Sequence, residues 1–230
     1  MLIIPVIDLY AANVVHARAG QRQSYENIKT PLCHGSNPLA VVKALLSLYP
    51  FTTIYIADLN AIKDEGNNNE IIGELLQHHP DICFWLDAGK YVFPAAVPNT
   101  SLRHVIGSET GITQQELLNN RAVSKTILSL DFLNNDFIGD QSVLINTDAW
   151  PDDIIVMSLT RVGMNQGPDT SRIAEIQLQA GNKRIYAAGG LRDEGDLQIL
   201  DAQGVSGILL ATALHEGKIS RQALERYSQI

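Results

Sequence analysis

The segment Val6-Ile7-Asp8-Leu9-Tyr10-Ala11-Ala12-Asn13-Val14-Val15 has a counterpart 123 residues later, Ser129-Leu130-Asp131-Phe132-Leu133-Asn134-Asn135-Asp136-Phe137-Ile138. Each copy consists of a short, mostly apolar run, an aspartate, a polar turn and a return to apolar residues. Such runs are typical of buried strands. The repeated unit is therefore interpreted as a strand with a carboxylate at its C-terminal end, which is where barrels of parallel strands place their chemistry.

Eight apolar runs of this kind are spaced along the chain, with segments of helical periodicity between them. The runs are Ile3–Ile7, Thr52–Ala57, Ile82–Leu86, Arg103–Ile106, Thr126–Leu130, Ile154–Met157, Arg184–Ala188 and Gly207–Leu210. Eight alternations of strand and helix predict a single (β/α)8 barrel, the TIM barrel, spanning residues 1–230. The repeat further predicts two duplicated half-barrels, roughly 1–122 and 123–230. A doubly wound open sheet is the alternative fold.

Helix signals support this interpretation between most of the strands. Asn37-Pro38, Asn67–Asn69 and Asp169-Thr170 are N-cap signals that precede helical stripes of apolar residues. Residues 191–202 and 219–227 have similar periodicity. The segments after the fourth and fifth strands carry weaker signals, so the outer ring of helices is predicted to be thin there.

Composition excludes several classes of protein. A net charge of −8 argues against a nucleic-acid-binding protein, because phosphate backbones require clustered lysine and arginine. The two cysteines, Cys33 and Cys83, suit a reducing cytoplasm, and no apolar stretch approaches the length of a membrane span. No residue spacing indicates a metal site, and no cofactor is predicted. The sequence indicates a cytoplasmic protein and leaves its oligomeric state open.

The two repeated aspartates are the predicted catalytic residues. Asp8 and Asp131 end the first and fifth strands, which lie opposite each other in an eight-stranded barrel. Two carboxylates facing one pocket can act as a proton donor and a proton acceptor. The alternative is that each aspartate only caps the turn that follows it.

The loops after the seventh and eighth strands are predicted to bind phosphate. Gly189 and Gly190 permit close approach of the backbone, and Ala211 and Thr212 add small residues and a hydroxyl beside them. These loops are the usual phosphate position in such barrels. The substrate is therefore predicted to be a phosphorylated small molecule. The alternative is that the glycines serve only a tight turn.

Six further residues are candidates for contacts with the rest of the substrate. They are Asp58, Asp87, Lys90, Gly107, Ser108 and Arg161. Asp58 ends the second strand, but its counterpart in the second half is Ser158. Asp87 and Lys90 replace a phosphate site in the first half, and they either bind an amine or hydroxyl or form a structural ion pair. Arg161 either contacts an anionic substrate or braces its loop. The long polar loop 16–36 is either a lid over the pocket or a surface loop.

Several segments resemble the isomerase family of histidine biosynthesis (HisA) and its cyclase relative (HisF), and the resemblance covers the whole chain. The segments are Ile3–Leu9 with Val14-Val15 and Gly20, Tyr55–Leu59, Ile106–Ser108, Ser129–Asp131, Ala188–Gly190 and Ala213–Lys218. The resemblance implies that Asp8 and Asp131 are base and acid in an Amadori rearrangement of an aminoaldose phosphate. The acid opens the furanose ring, and the base moves a proton from C2. It also implies phosphate contacts at Gly189, Gly190, Ala211 and Thr212, and at Gly89, Gly107 and Ser108.

The chain departs from the family pattern at three places. The triple glycine expected after the third strand is Asp87-Ala88-Gly89-Lys90, the aspartate expected after the sixth strand is Ser158, and the usual Arg-Asp-Gly is Arg161-Val162-Gly163. Together with Ile106–Thr110, these features look more like a side family of methanogens and methylotrophs associated with C1-carrier cofactor biosynthesis (methanofuran or tetrahydromethanopterin). The predicted function is an isomerase-like enzyme for a sugar-like substrate with one phosphate. The alternatives are the histidine-pathway isomerase itself and a barrel that binds a phosphorylated ligand without turnover.

Overall fold

Eight parallel strands form a closed barrel in the computed structural model, which describes residues 1–18, 25–90, 102–121 and 126–228. The strands are β1 (Leu2–Tyr10), β2 (Asn13–Val15), β3 (Thr53–Asp58), β4 (Cys83–Asp87), β5 (Leu102–Gly107), β6 (Ile127–Leu133), β7 (Asp136–Ile138), β8 (Asp153–Ser158), β9 (Arg184–Ala188) and β10 (Gly207–Leu210). The order around the barrel is β1, β3, β4, β5, β6, β8, β9, β10. β10 then pairs with β1 in parallel, with Leu2 opposite Gly207. This pairing confirms the predicted TIM barrel and rules out the open sheet.

The two additional strands, β2 and β7, form matching hairpins with β1 and β6. Asp8 pairs with Val15, and Asp131 pairs with Ile138. Both turns use non-glycine residues with positive φ: Ala11 and Ala12 in the first, Asn134 and Asn135 in the second. Left-handed residues at both central positions give the turn twist that suits a two-residue hairpin. The sequence repeat thus extends to the hairpin geometry, while the half-barrel boundaries stay a prediction.

Helices surround the barrel with the uneven coverage predicted from the sequence. They are α1 (Pro38–Leu48), α2 (Leu59–Ile62), α3 (Asn69–His78), α4 (Gln114–Arg121), α5 (Gln141–Ile145), α6 (Thr170–Ala180), α7 (Glu194–Ala202), α8 (Thr212–His215) and α9 (Arg221–Tyr227). The side chains of Asn37 and Asp169 cap α1 and α6 as predicted. The helices after β5 and β6, α4 and α5, are short. In the described part of the chain, every helix is too short or too polar to cross a membrane.

Side chains alternate between the barrel interior and the layer beneath the helices. Tyr55 and Ala57 of β3 belong to the interior cluster, whereas Ile54 and Ile56 pack in the outer layer. Trp85 and Tyr186 fill the interior further down, with ring centroids 4.8 Å apart in an edge-to-face arrangement. The interior is therefore a packed core, and only its upper end is open to a ligand.

An ion-pair cluster closes the bottom of the barrel. The carboxylate of Asp153, the first residue of β8, accepts hydrogen bonds from Arg103 (2.5 Å), Arg184 (2.5 and 2.8 Å) and the Tyr186 hydroxyl (3.0 Å). Asp153 is 1% exposed, and the Arg103 guanidinium lies over the Trp85 ring. These contacts join β5, β8 and β9 at the face opposite the predicted active site.

Candidate active site

A cavity opens at the C-terminal ends of the barrel strands and encloses about 960 Å³, including solvent at its mouth. Four carboxylate side chains line it, those of Asp8, Asp87, Glu109 and Asp131. Among the described residues that line the cavity, there is no lysine, arginine or histidine. Within this part of the chain, an anionic group entering the cavity therefore depends on backbone N–H groups and hydroxyls.

Asp131 is held at the floor of this cavity by hydrogen bonds to residues of two segments. The Ser129 hydroxyl donates to Oδ1 at 2.6 Å, and Oδ2 accepts from the Glu109 N–H at 3.0 Å and the Ser108 hydroxyl at 3.3 Å. The Asp131 N–H in turn donates to the Ser108 hydroxyl oxygen at 2.9 Å. The carboxylate is thus fixed in one orientation before any substrate enters, as a positioned acid or base requires.

Burial raises the pKa of Asp131 to about 7. The charges of Glu109 and Asp87 contribute to this raised pKa, while the hydrogen bonds from Ser129 and Glu109 oppose it. A carboxyl group with a pKa near neutrality can carry a proton at physiological pH and release it readily. This is the property that a general acid needs.

The same shift predicts a pH dependence of stability. The Asp131 carboxyl has a pKa of about 7 in the folded protein, against an ordinary value of 3.8 that applies to the unfolded chain. Its contribution to the unfolding free energy is therefore complete below the unfolded pKa and is lost as the pH rises from there through about 7. Between pH 5 and pH 8, the wild type is expected to lose about 2 to 3 kcal/mol more of its unfolding free energy than Asp131→Asn. Urea unfolding at both pH values measures this, and parallel curves for the two proteins would contradict it.

Asp8 reaches the same cavity from the opposite side of the barrel. It is partly buried at the C-terminal half of β1, in the strand pair with β2, and it lines both the mouth cavity and a smaller side cavity. In either direction around the barrel, three strands separate β1 from β6. The two predicted catalytic aspartates therefore face one space.

Tyr55 is a cavity residue that the sequence analysis missed. Its side chain points into the barrel from β3, and its hydroxyl donates to Asp87 Oδ2 at 2.9 Å. Burial, followed by the neighbouring Asp87, Asp131 and Asp8 charges, raises the pKa of Tyr55 well above its usual value. The hydroxyl therefore stays protonated and orients Asp87. The alternation along β3 was the signal for it, since Tyr55 and Ala57 share one face of the strand.

The predicted phosphate-binding residues lie together at one side of the mouth. Gly189, Gly190, Ala211 and Thr212 all line the cavity. Gly189 and Gly190 have φ values of 97° and 88°, and a Cβ atom on Gly190 would overlap the carbonyl oxygen of Gly167. Only glycine fits this turn without displacing a neighbouring loop.

A side cavity adjoins this group of residues. It shares Asp8, Ala211 and Thr212 with the mouth cavity, and it is also lined by His16 and His215. Burial and the nearby His16 lower the pKa of His215 to about 4, so that ring is neutral at physiological pH. Neither histidine was a site candidate from the sequence.

Asp58 does not face the cavity, which corrects the prediction that it contacts substrate. It is fully buried, and its carboxylate accepts hydrogen bonds from the Ala61 N–H, the Asn68 N–H and the Asn68 side-chain amide. Asp58 lies on the opposite face of β3 from Tyr55 and Ala57, so its side chain points away from the barrel interior. It caps α2 and holds the loop before α3.

Gly107 and Ser108 support Asp131 instead of lining the cavity themselves. The Ser108 side chain is completely buried and bonds to Asp131, as described above. A Cβ atom on Gly107 would come within 3.0 Å of Asp131 Oδ2. The structure thus gives both residues a place beside the Asp131 carboxylate, and their direct contact with substrate stays a prediction.

Arg161 and Lys90 also lie outside the described lining of the mouth cavity. The Arg161 guanidinium donates to the carbonyl oxygens of Gly167 (3.0 Å) and Pro168 (3.3 Å). It therefore braces the loop that carries these residues, which was the alternative interpretation. Lys90 is exposed at the end of the described segment 25–90. Asp87, by contrast, lines the cavity, and its contact with an amine or hydroxyl of the substrate stays a prediction.

The described parts of loop 16–36 approach the cavity at both ends. Ala17 and Tyr25 line it, and the His16 N–H donates to the Glu26 carbonyl oxygen at 2.9 Å. Residues 19–24 of the loop lie outside the described residues, so whether the loop is a lid stays a prediction.

The closed barrel and the opposed carboxylates at its mouth define the class of protein, a (β/α)8 barrel with two aspartates that face one cavity. Comparisons with known proteins agree. A family model described as histidine biosynthesis protein matches residues 148–220. An uncharacterized protein of Methanocaldococcus jannaschii is 31% identical over 228 residues, covering 97% of each chain.

Two relatives of named activity are more distant. Both are called imidazole-4-carboxamide isomerases, and the name places two phosphoribosyl groups on their substrate. The protein of Cenarchaeum symbiosum is 25% identical and covers 96% of this chain and 97% of its own. That of Flavobacterium johnsoniae is 24% identical and covers 99% of each. The chain belongs to the HisA-like family of histidine biosynthesis proteins, as a divergent member, and is an enzyme of the isomerase type.

Proposed function

We propose that this enzyme rearranges a sugar-like substrate with one phosphate, using Asp131 as general acid and Asp8 as general base. The observation that carries the proposal is that both aspartates line one cavity, which Gly189, Gly190, Ala211 and Thr212 also line. Acid, base and phosphate-binding loops are the three parts that an aldose–ketose rearrangement of a phosphosugar requires.

The two aspartates divide the chemistry according to their surroundings. Asp131 has a raised pKa and carries the proton that a ring oxygen receives when the ring opens. Asp8 then removes the proton from C2, and that proton is returned to the adjacent carbon as the carbonyl group moves along the chain. Tyr55 stays protonated beside them and keeps Asp87 oriented toward the cavity.

A single phosphate fits the asymmetry of the cavity. The second-half loops have paired glycines and the Thr212 hydroxyl, whereas the corresponding first-half position after β4 carries Asp87. A carboxylate repels a phosphate at close range. The relatives whose names carry two phosphoribosyl groups need two such sites, so the substrate proposed for this chain differs from theirs.

Gly190→Ala tests the phosphate site, with Gly204→Ala as its matched control. Both glycines have positive φ, which is expected to cost each variant about 1 kcal/mol of stability, and Gly190→Ala is expected to lose more because its Cβ also overlaps Gly167. Only at position 190 does the added Cβ displace a neighbouring loop, since Gly204 has open space around it. Gly190→Ala is therefore expected to weaken binding of ribose 5-phosphate by about 10-fold or more in calorimetry. Equal affinities in the two variants would contradict the site.

Asp8→Asn tests the catalytic assignment and identifies the substrate. The variant keeps the cavity and the phosphate-binding loops but lacks the proposed base, so it is expected to retain a bound phosphosugar that the wild type converts. Native mass spectrometry with a panel of phosphorylated pathway intermediates measures this. Conversion by Asp8→Asn at the wild-type rate would refute the role of Asp8, and binding without conversion in either protein would favour a non-catalytic barrel.

The proposed pathway is C1-carrier cofactor biosynthesis, for methanofuran or tetrahydromethanopterin. The support is the resemblance of Ile106–Thr110 and Arg161–Gly163 to the side family of methanogens and methylotrophs, together with the full-length relative in Methanocaldococcus jannaschii. Deletion of the gene is expected to lower the content of such a cofactor, measured by mass spectrometry of cell extracts.

The histidine-pathway isomerase is the second candidate, because full-length relatives carry that name. Complementation of a histidine auxotroph that lacks this isomerase separates the two. Growth without histidine would establish the second candidate, whereas failure to grow, with folded protein present in the cells, is the expected result.

A further inference from the structure

Thr212 stands between the mouth cavity and the side cavity and has contacts on both sides. It is 9% exposed and lines both spaces. On the side-cavity face, its hydroxyl oxygen lies 3.2 Å from Nε2 of His16. On the mouth-cavity face lie Gly189 and Gly190. The hydrogen-bonding role of the His16 ring therefore affects the Thr212 hydroxyl, which is the group that would contact a phosphate.

His16 is held in place by its backbone. It follows β2 directly, and its N–H donates to the carbonyl oxygen of Glu26 at 2.9 Å. The preceding residue, Val15, pairs with Asn27 in an antiparallel bridge. The ring thus projects toward Thr212 from a segment that is paired at Val15 and at the His16 N–H.

A hydroxyl group has one hydrogen, so the role of His16 decides what Thr212 can donate. If Nε2 is unprotonated, the Thr212 hydrogen points at the ring and only its oxygen faces the mouth cavity. If Nε2 carries a hydrogen, it donates to the Thr212 oxygen. The Thr212 hydrogen is then available to a phosphate oxygen, which accepts but does not donate when ionised.

The charges around the ring come from several elements. Burial and then Arg18 lower the pKa of His16, whereas Glu216 raises it. Asp8 and Lys29 line the same side cavity, and the neighbouring His215 is neutral, with its Nδ1 3.3 Å from the Thr30 hydroxyl. A phosphate beside Thr212 adds negative charge, which favours a hydrogen on the nitrogen nearest to it.

We propose that His16 is a positioning residue of the phosphate site, which donates from Nε2 to Thr212 and thereby directs the Thr212 hydroxyl hydrogen to the phosphate of the substrate. The inference rests on the proposed phosphate site and adds a residue to it from the loop after β2. The ligand class is a phosphate monoester, and His16 acts through Thr212 without touching the reacting carbons.

The test is a double-mutant cycle on phosphate binding. Affinities for inorganic phosphate and ribose 5-phosphate are measured by calorimetry for the wild type, His16→Ala, Thr212→Val and the double variant. Thr212→Val is expected to weaken binding about 10- to 100-fold, as loss of a hydrogen bond to a charged group does. His16→Ala is expected to weaken it about 10-fold. The double variant is expected to match Thr212→Val alone, because His16 has no hydroxyl left to orient.

Rescue by glutamine separates positioning from packing. A glutamine side-chain amide can donate at about the position of Nε2, so His16→Gln is expected to bind within about 3-fold of the wild type. His34→Ala, an exposed histidine in the same loop, is the matched control and is expected to change nothing. Thermal melting of each variant identifies any that fail to fold.

Different results overturn different parts of the proposal. The role of His16 would be overturned if His16→Ala bound phosphate as tightly as the wild type. It would also be overturned if His16→Ala lowered the affinity of Thr212→Val as much as that of the wild type, or if His16→Gln did not restore the affinity lost in His16→Ala. If Gly190→Ala and Thr212→Val both bind ribose 5-phosphate like the wild type, the phosphate site itself is misplaced.

Discussion

Replacement of Asp131 by asparagine is expected to lower kcat by about 10²- to 10⁴-fold, the range usual for removal of a general acid or base. The amide keeps the shape of the carboxylate but has only one acceptor oxygen. That oxygen can accept from the Glu109 N–H and the Ser108 hydroxyl, while the amide NH₂ can donate to the Ser129 hydroxyl oxygen. It cannot supply the proton that ring opening needs. Single-turnover kinetics on the substrate retained by Asp8→Asn measures the loss.

The pH–rate profile provides a second test of the same role. The pKa of Asp131 is about 7, so activity that depends on its proton is expected to fall as pH rises through that value. Asp136→Asn, an exposed carboxylate in β7 of the same hairpin, is the matched control and should keep the wild-type rate. A wild-type profile that stays flat across pH 6 to 8, with Asp131→Asn fully active, would remove Asp131 from the mechanism.

Asp153→Ala is expected to destabilise the barrel by about 2 to 3 kcal/mol. Removing the carboxylate leaves Arg103 and Arg184 without their shared partner and takes a hydrogen-bond acceptor from Tyr186. Breaking a fully buried ion pair costs about 3 to 5 kcal/mol. The expected loss is smaller here because the arginine side chains are 22% and 54% exposed and regain water.

Urea unfolding compares Asp153→Ala with Asp152→Ala. Asp152 is the preceding residue and is exposed, so loss of its side chain should change the unfolding free energy by less than about 0.5 kcal/mol. Since the cluster lies at the bottom of the barrel, kcat of folded Asp153→Ala is expected to stay near the wild-type value. Equal stability of the two variants would mean that the ion-pair cluster contributes no more to the unfolding free energy than apolar packing at the bottom of the barrel would.

The eight strands were predictable because each is a local pattern. The predicted runs 184–188 and 207–210 coincide with β9 and β10, and the others agree to within a few residues at either end. The two hairpins were visible only as a polar turn, since their pairing depends on left-handed residues such as Asn134 and Asn135. The thin helix coverage near α4 and α5 was also predicted, from weak periodicity.

The site was predictable in part, and the errors have one physical origin. Asp58 and Ser108 are polar residues next to a strand end, as Asp87 is, but only Asp87 lines the cavity. Strand alternation turns Asp58 outward, and the Ser108 hydroxyl donates a hydrogen bond to Asp131. Arg161 likewise bonds to its own loop. A polar residue in a motif says nothing about which neighbour it will bond to.

The sequence by itself determined the barrel, the two symmetric aspartates and the glycines of the loops after β9 and β10 that are proposed to bind phosphate. Hydrophobic periodicity, strand-end position and conformational freedom are properties of short segments. Only the tertiary structure decided the raised pKa of Asp131, the pairing of Tyr55 with Asp87 and the contact of His16 with Thr212. The last of these joins residues 196 positions apart. Closure of the barrel between β1 and β10 brings such residues together, and burial there removes the water that would otherwise screen their charges.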